Sequence, residues 1–407
     1  MISLAWFRTS LVFLSVLVFF TNFSDYSQKF GIIPLYWIFF FAALAAPLAV
    51  PSILSFRIRI TPLVLWGVGY LLITILWYYP SVQNAGSFQD VQTRFLAVIV
   101  LFLMLFLLNS PADQRIGRIA VALSVLIAVA LNVYELFNPM TFSAIPGRSS
   151  GLYTNVNQSG AALVLGMIIA YQIIPDRFKL LFIALTAIGI VTTFSRAAML
   201  GWVLVVFYVA LRSGIRVAQV RRFFILGVLV FGFIISPYWG ELQHSLQDRG
   251  TLTLDVVQRL NFFGSGNTSD TSSQERSSVA TYAFRHFSER PMTGFGTGDH
   301  TQLEGYEVGV HNVYLAMMVD HGIIGLFILP LMILAVLWGL PKSQIDLALP
   351  FAMFLSLWGL FSHNVLEERY ILTSVALVGS IIATHRVRVT RADFQSASSI
   401  IPIGAAL

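Results

Sequence analysis

The sequence predicts an all-α polytopic membrane protein with about twelve transmembrane helices and one long outside loop that contains short helices. Of the 407 residues, 57% are hydrophobic and only 11% are charged. A soluble core does not require so large an apolar fraction. Apolar segments also recur along the whole chain, many close to the length of about 20 residues that a helix needs to cross about 30 Å of hydrocarbon.

Twelve apolar segments fit membrane-spanning helices, and the shorter ones require a tilt or a break. They cover residues 4–22, 31–54, 62–79, 94–109, 116–137, 158–175, 178–194, 197–211, 222–238, 311–340, 346–362 and 370–385. The first is followed by further spans and lacks a small-residue cleavage site, so we interpret it as a retained helix. The chain then divides into helices 1–9 over 1–238, a long loop over 239–310, helices 10–12 over 311–385 and a tail over 386–407.

The basic residues predict the orientation. Fifteen of the 25 lie in one alternating set of loops, mostly close to the segment ends, and the other ten are spread over the longer loops of the opposite set. The positive-inside rule therefore places both termini in the cytoplasm and the long loops outside. Because the basic residues are dispersed among membrane loops, the net charge of +6 does not indicate nucleic-acid binding. The absence of cysteine excludes disulfides and thiolate ligands.

The first outside motif covers residues 147–158 and contains Arg148. Its Gly, Ser and Asn residues favour a turn that leads into a helix, which Asn157 or Ser159 is placed to cap. The amino end of such a helix is an anion site. The alternative is a polar loop with a solvated arginine, and this motif taken alone slightly favours that alternative.

Arg196 lies between the segments 178–194 and 197–211, with almost no loop. An unpaired guanidinium costs about 2.5–3.5 kcal/mol at the centre of a membrane helix, so one at the edge of the hydrocarbon needs a partner. An anionic ligand serves as well as a protein carboxylate. The alternative is an interfacial anchor whose charge reaches water. Basic anchors are favoured on the cytoplasmic side, so we favour a functional role for Arg196.

A third motif, in the long loop, predicts a helix with Arg276 on its apolar face. Ser272 and Glu275 match a capping box, and the helix should stop before Pro291. At about 100° per residue, Arg276 shares a face with apolar side chains and points inward. Arg285 falls on the opposite face, where a solvated charge is the better interpretation.

A glycine series at residues 294, 296 and 298 follows this helix. Successive backbone N–H groups in such a series can bind phosphate. A tight turn explains the glycines equally well, and no Gly-Lys-Ser/Thr sequence follows, so this is not a P-loop.

His311 and Asn312 open the tenth segment from outside. A neutral imidazole there can accept a proton from a hydroxyl, and the alternative is a hydrogen-bonded structural histidine. The last outside loop offers His363, Asn364 and the charged residues 367–369, which we expect to supply surrounding charge. No His/Asp/Glu cluster has metal-site spacing, and no Gly-x-Ser-x-Gly elbow is present, so we expect neither a metal nor another cofactor.

These motifs together resemble the superfamily of O-antigen ligases and polymerases of the bacterial envelope. The matching residues are Arg148 with Asn155 and Asn157, Ser195 with Arg196, Glu275 and Arg276 with Arg290 and Pro291, Gly294 with Gly296, and His311 and Asn312 with the helix at 322–325. By motif, the resemblance covers residues 138–330. It implies a GT-C-like fold in the inner membrane, with the active site facing the periplasm.

The resemblance also implies an activity and a site. The family takes a glycan from undecaprenyl pyrophosphate and passes it to an acceptor hydroxyl, by metal-independent inverting transfer. Arg148, Arg196 and Arg276 then hold the pyrophosphate, and His311 is the general base or orients the acceptor. The remaining candidate substrate-binding residues are Asn157, Asn312, Arg285, Gly294 and Gly296. The expected partners are the lipid-linked glycan, the acceptor and membrane lipids, without nucleic acid.

Within the superfamily the sequence favours an O-antigen ligase, whose acceptor is lipid A–core. A single dominant outside loop and twelve spans fit this reading. The first alternative is an O-antigen polymerase. Its loops often carry an arginine and a glycine separated by ten residues, as Arg285 and Gly296 are, but a second large loop is missing. The second alternative is a transporter of lipid-linked sugar, which predicts charges along a path through the spans.

Overall fold

The computed structural model describes residues 4–54, 61–212, 271–302 and 309–398, and this part of the chain is helical, without a strand. Fourteen α-helices are described. They are α1 Leu4–Phe20, α2 Phe23–Tyr26, α3 Pro34–Leu54, α4 Pro62–Tyr78, α5 Ala85–Leu107, α6 Pro111–Phe137, α7 Val156–Ala170, α8 Asp176–Thr193, α9 Arg196–Arg212, α10 Thr271–Glu289, α11 Val313–His321, α12 Ile328–Leu337, α13 Ile345–Trp358 and α14 Arg369–Ser398.

Every predicted segment that falls within the described residues overlaps an α-helix, and the tenth overlaps two. The ninth, 222–238, and most of the long loop lie outside the described residues. The predicted start of α5 was wrong, because the helix begins at Ala85, where the Asn84 side chain accepts a hydrogen bond from the Ser87 N–H. Polar caps extend amphipathic helices beyond their apolar stretch. α14 likewise continues past the predicted residue 385.

Within the described residues, three helical stretches are long and apolar enough to cross a membrane: Ala85–Leu107, Pro111–Phe137 and Val313–Leu337. A fourth span results if the bent pair Leu4–Phe20 and Phe23–Phe30 counts as one. The apolar helices Pro34–Val50, Pro62–Tyr78 and Val156–Ala170 are shorter. The structure therefore supports a membrane protein, and the total of twelve spans stays a prediction.

Contacts between loops agree with the predicted alternation of sides. The loops assigned to the outside join one another through Arg369 and Asp25, Gln158 and Glu368, and Lys29 and the Phe142 carbonyl. The loops assigned to the inside join through Arg8 and Asp113, Arg212 and Asp346, and Gln114 and Thr384. We call the helix ends on these two sides the outer and inner ends. Which side faces the cytoplasm stays a prediction.

α7 lies at the centre of the bundle. Every residue from Ser159 to Ala170 is buried, and a helix that is apolar on all sides requires such a position. Glycines allow its neighbours to approach closely: a Cβ at Gly160 would lie 2.6 Å from the Cβ of Ala198 in α9. The outer end of α7 is thereby fixed against α9, next to Arg196.

The predicted tenth segment is not one continuous α-helix. A 3₁₀ stretch, Gly322–Phe327, separates α11 from α12. Gly322 has a φ of +66°, and a Cβ there would lie 2.6 Å from the Met292 carbonyl carbon, so a glycine is required at the break. Non-helical backbone is tolerated at membrane depth where protein covers it, and Gly322 and Gly325 are both buried.

Candidate functional site

Arg148 lies at the turn between α8 and α9. It is 4% exposed, and its Nε donates to the Thr193 carbonyl at 3.0 Å. Its Nη2 donates to the Phe194 carbonyl at 3.4 Å and to Asn157 Oδ1 at 3.3 Å. Carbonyls at the end of a helix lack partners within the helix, and here Arg148 donates hydrogen bonds to two of them. The structure thus brings the first outside motif against the second.

Arg196 is the first residue of α9, as the sequence predicts, and it is half-buried. Phe194, two residues earlier, adopts a φ of +50° and reverses the chain. Arg148 binds the carbonyl of that same residue, so Arg148 and Arg196 flank one turn. The two arginines, both predicted to hold pyrophosphate, therefore lie at the same turn, although separate segments of the sequence provide them.

The predicted cap of α7 was wrong. Asn155 is the N-cap, and its side chain accepts hydrogen bonds from the N–H groups of Asn157 and Gln158. The Ser159 hydroxyl instead contacts Asn132 in α6. Asn155 is favoured as the N-cap because its backbone is extended just before the helix, which lets its side chain reach the N–H groups of the first turn. The Asn157 side chain does not cap the helix, and its Oδ1 accepts the hydrogen bond from Arg148 Nη2.

Arg276 and His311 belong to two elements that pack together at the outer end of the bundle. On α10, the residues Val279, Ala283 and Phe287 are buried, which confirms the predicted inward face. This helix packs against α11, which His311 precedes. Burial and the nearby positive charge of Arg276 both lower the pKa of His311. An imidazole with a lowered pKa is neutral near pH 7 and able to accept a proton.

The limits of α10 agree with the sequence at one end only. The helix ends at Glu289, before Pro291, as predicted. Ser272 is already helical where the described part of α10 starts, at Thr271, so Ser272 is not the N-cap that the predicted capping box requires. Arg285 is exposed on the opposite face from Arg276, as expected for a solvated charge.

The glycine series forms a packed turn. The Gly294 N–H donates to the Arg290 carbonyl at 2.8 Å, and the Gly296 N–H donates to the Asp320 carbonyl at 2.9 Å. Both residues have positive φ, and a Cβ at Gly294 would lie 2.4 Å from the Asp320 oxygen. Because these N–H groups already have acceptors, the geometry supports the tight-turn interpretation over phosphate binding. Asn312 also has a local partner, since its side chain caps α11 by accepting from the Leu315 N–H.

Two further histidines adjoin His311. The ring centroids of His311 and His363 are 5.5 Å apart, and those of His363 and His300 are 6.5 Å apart. Burial and the charges of His300 and His311 lower the pKa of His363 to about 3. From the sequence, His363 was expected only to supply surrounding charge, and His300 was not predicted as a site residue. Each is a single histidine in its own loop, so no spacing signal links them.

A buried ion network lies beneath the three histidines. Arg94 Nη2 contacts Asp320 Oδ2 at 2.5 Å and Asp90 Oδ2 at 2.7 Å, and its Nη1 is 2.6 Å from His321 Nε2. His300 Nδ1 lies 2.9 Å from Asp320 Oδ2. This network was not predicted from the sequence. The available signal was the ionisable residues inside apolar segments, which are functional candidates by default.

The ligand atoms of Asp90, His300 and Asp320 lie within 4.8 Å of one another, a spacing that suits a cation. The Arg94 guanidinium, however, contacts both carboxylates and supplies their counter-charge. A metal ion there would face a buried positive charge. The donor set therefore fits an ion-pair network better than a metal centre.

Two glutamates join the arginine and histidine groups. Glu368, at the start of α14, accepts a hydrogen bond from the Gln158 amide in α7, next to Asn157. Burial and the Asp25 carboxylate raise the pKa of Glu368 to about 8. Burial and the charge of Asp90 raise the pKa of the adjacent Glu367 to about 7. The last outside loop thus contacts the helix end beside Arg148 and also carries His363.

The fold and this site define a class of protein. It is a helical membrane protein with arginines and neutral imidazoles at the outer end of its bundle. Within that class, residues 181–330 match the family model described as O-Antigen ligase, which confirms the resemblance to the superfamily of O-antigen ligases and polymerases. Members of this family are glycosyltransferase-like enzymes. The match includes Arg196, Arg276 and His311. No curated protein matches the chain.

Proposed function

We propose that this protein transfers O-antigen polysaccharide from undecaprenyl pyrophosphate to a lipid A–core acceptor at the periplasmic face of the bacterial inner membrane. The family match supports a lipid-linked glycan as the donor. The observation that supports the proposal is that the charge of Arg276, together with burial, lowers the pKa of His311, so a cation of the kind that binds phosphate acts on a neutral imidazole.

The chemistry follows from this pair. An acceptor hydroxyl attacks the anomeric carbon of the donor glycan and forms a new carbon–oxygen bond. The bond from that carbon to the pyrophosphate breaks, and its electron pair passes to the leaving oxygen. His311 receives the hydroxyl proton. Attack opposite the leaving group inverts the anomeric configuration. Arg276 and Arg196 stabilise the charge that develops on the pyrophosphate, the role that a divalent metal has in many other glycosyltransferases.

Arg148 contributes from behind this site. Its hydrogen bonds to the Thr193 and Phe194 carbonyls fix the turn that presents Arg196. From the resemblance, Arg148 is expected to contact the pyrophosphate directly. The geometry supports a positioning role as well, since the guanidinium is 4% exposed and donates to protein acceptors.

Two alternatives make different predictions. A polymerase uses the same donor but passes the glycan to a second lipid-linked chain, and the spacing of Arg285 and Gly296 favours it. A transporter predicts charges along a path through the spans. The buried charges of Arg94, Asp90 and Asp320 instead pair with one another beside the loop at 298–300.

The test is an assay with purified protein in lipid nanodiscs, a lipid-linked glycan, and lipid A–core acceptor, with a chelator present. The ligase predicts a glycan-bearing acceptor, and the reaction should depend on that acceptor. Longer lipid-linked glycan formed without the acceptor supports the polymerase. Absence of both products, with movement of the lipid-linked glycan between leaflets, supports the transporter.

A further inference from the structure

His363 lies in the loop between α13 and α14, next to His311. Its ring is 5.5 Å from that of His311 and 6.5 Å from that of His300. The positive charge of Arg276 acts on His311, whereas the charge of His300 acts on His363. His363 therefore adjoins both other rings, and the charge of Arg276 acts on His311.

The ring of His363 has no structural task that explains it. Its Nδ1 is buried and lacks a hydrogen-bond partner within the described part of the chain. A neutral imidazole carries one donor and one acceptor, and leaving a buried polar atom unpaired is unfavourable by about 1–3 kcal/mol. The side chain does not cap the helical turn that it precedes. The residue as a whole is half-buried, and its other ring nitrogen, Nε2, is the atom that a ligand hydroxyl can reach.

The position also decides which ligand is suitable. Under the proposed function, the pyrophosphate lies against Arg276, and His311 receives the proton of the attacking hydroxyl. His363 then lies next to His311, beside the acceptor. A sugar carries several hydroxyls on adjacent carbons, each able to donate and accept a hydrogen bond. A second imidazole 5.5 Å from the first is suitably placed to bind a hydroxyl next to the reacting one.

We propose that His363 binds the acceptor sugar, by a hydrogen bond between its ring and a hydroxyl adjacent to the one that His311 deprotonates. This inference rests on the proposed function. A role as the base itself is disfavoured, because burial and the neighbouring histidines make His363 a weak proton acceptor. Specificity follows, since an acceptor that lacks the hydroxyl leaves a polar ring unpaired.

The experiment compares His363→Ala, His363→Gln and the control Ser362→Ala, which changes the preceding residue of the same loop. Transfer is measured while donor and acceptor concentrations are varied separately. For His363→Ala we expect the acceptor KM to rise about tenfold, as for one lost hydrogen bond, with donor KM unchanged and kcat within about twofold. Gln retains a donor and an acceptor and should recover part of the acceptor KM. The Ser362→Ala control should match wild type.

Three results would overturn the inference: an unchanged acceptor KM in His363→Ala, an equal rise in donor KM, or a kcat loss as large as that of His311→Ala. Direct binding of delipidated core oligosaccharide by calorimetry separates this inference from the proposed function. Binding that weakens in His363→Ala supports acceptor recognition even in protein that transfers nothing, whereas equal binding in both proteins refutes it. If His363→Ala does not fold, His363→Gln and an acceptor lacking single hydroxyls provide the same comparison.

Discussion

Arg94 and Asp320 form an ion pair of 2.5 Å in which both side chains are fully buried, although 226 residues separate them in the sequence. Asp320 also accepts from the N–H groups of Gly298 and His300, each at 3.0 Å, and from the His300 ring. One carboxylate therefore ties the loop at 298–300 to α5 and α11. Because that loop follows α10, the same carboxylate helps to fix Arg276 relative to His311.

The first prediction concerns this pair. Replacing Asp320 by Asn should reduce the free energy of unfolding by about 3–5 kcal/mol, because the buried Arg94 and His300 side chains both lose the same carboxylate and only Asp90 remains beside Arg94. Thermal unfolding of the purified protein in detergent measures the change. The matched control is Asp346→Asn, which breaks the exposed pair with Arg212 and should change stability by about 0–1 kcal/mol. Equal losses in the two variants would show that the buried pair is not a special anchor.

The second prediction concerns the arginines. Arg196→Ala and Arg276→Ala should abolish transfer while expression persists. Each change removes a positive charge that stabilises the negative charge developing on the pyrophosphate. Removing a single transition-state donor typically lowers kcat about 10²–10³-fold. Arg276→Lys should recover only part, since a lysine lacks the planar bidentate donors of arginine.

Arg285 provides the comparison for Arg276 on the same helix. Its exposed position predicts that Arg285→Ala lowers activity at least about tenfold less than Arg276→Ala does, because a solvated charge contributes little. Equal losses would favour the polymerase alternative, in which Arg285 is a functional residue. Wild-type activity in either Arg196→Ala or Arg276→Ala would remove that arginine from the site.

The third prediction concerns His311. Its replacement by Ala should lower kcat about 10²–10⁴-fold, as for loss of a general base, with a smaller change in donor binding. A loss of donor affinity as large as the loss of kcat would indicate a binding role instead.

The pH dependence of kcat/KM provides a second measurement on His311. The base must be neutral, and burial and Arg276 lower its pKa below the ordinary 6.5, so the acid limb should lie below pH 6.5. Arg276→Gln removes a positive charge, which raises the pKa of His311 and shifts that limb to higher pH. An acid limb that Arg276→Gln leaves in place would contradict the proximity of the two groups.

The fourth prediction concerns stability and His300. Burial lowers the pKa of His300, but the charge and hydrogen bond of Asp320 outweigh burial and raise it to about 9. The folded state thus binds a proton more tightly than the unfolded state. The resulting stabilisation is complete below about pH 6.5 and is lost as the pH rises through about 9.

The measurement is thermal unfolding of wild type and His300→Gln from pH 6 to pH 10. The difference in stability between the two proteins should decrease by roughly 1–3 kcal/mol across this range. The variant lacks the titrating group, so other groups contribute equally to both curves and cancel. A difference that stays constant with pH would show that the His300–Asp320 pair does not hold the proton.

The tertiary structure changed the interpretation of single residues. The glycine series suited either phosphate binding or a turn, and the choice depended on Asp320, which supplies acceptors to both Gly296 and Gly298. Asn155 displaced Asn157 as the cap of α7 because only one of several neighbouring polar residues has the extended backbone that a cap requires. Local sequence lists suitable residues, but backbone geometry selects among them.

The sequence by itself determined the helical membrane fold, most helix positions, the inward face of Arg276 and the family match, because apolar length, helical period and motif order are local properties of the chain. Only the tertiary structure decided which polar groups meet. Arg94 with Asp320, and His311 with His363, come from distant segments, and neither pair has a spacing that marks it. Burial makes each such group require a partner, and packing of the helices decides which partner lies within reach.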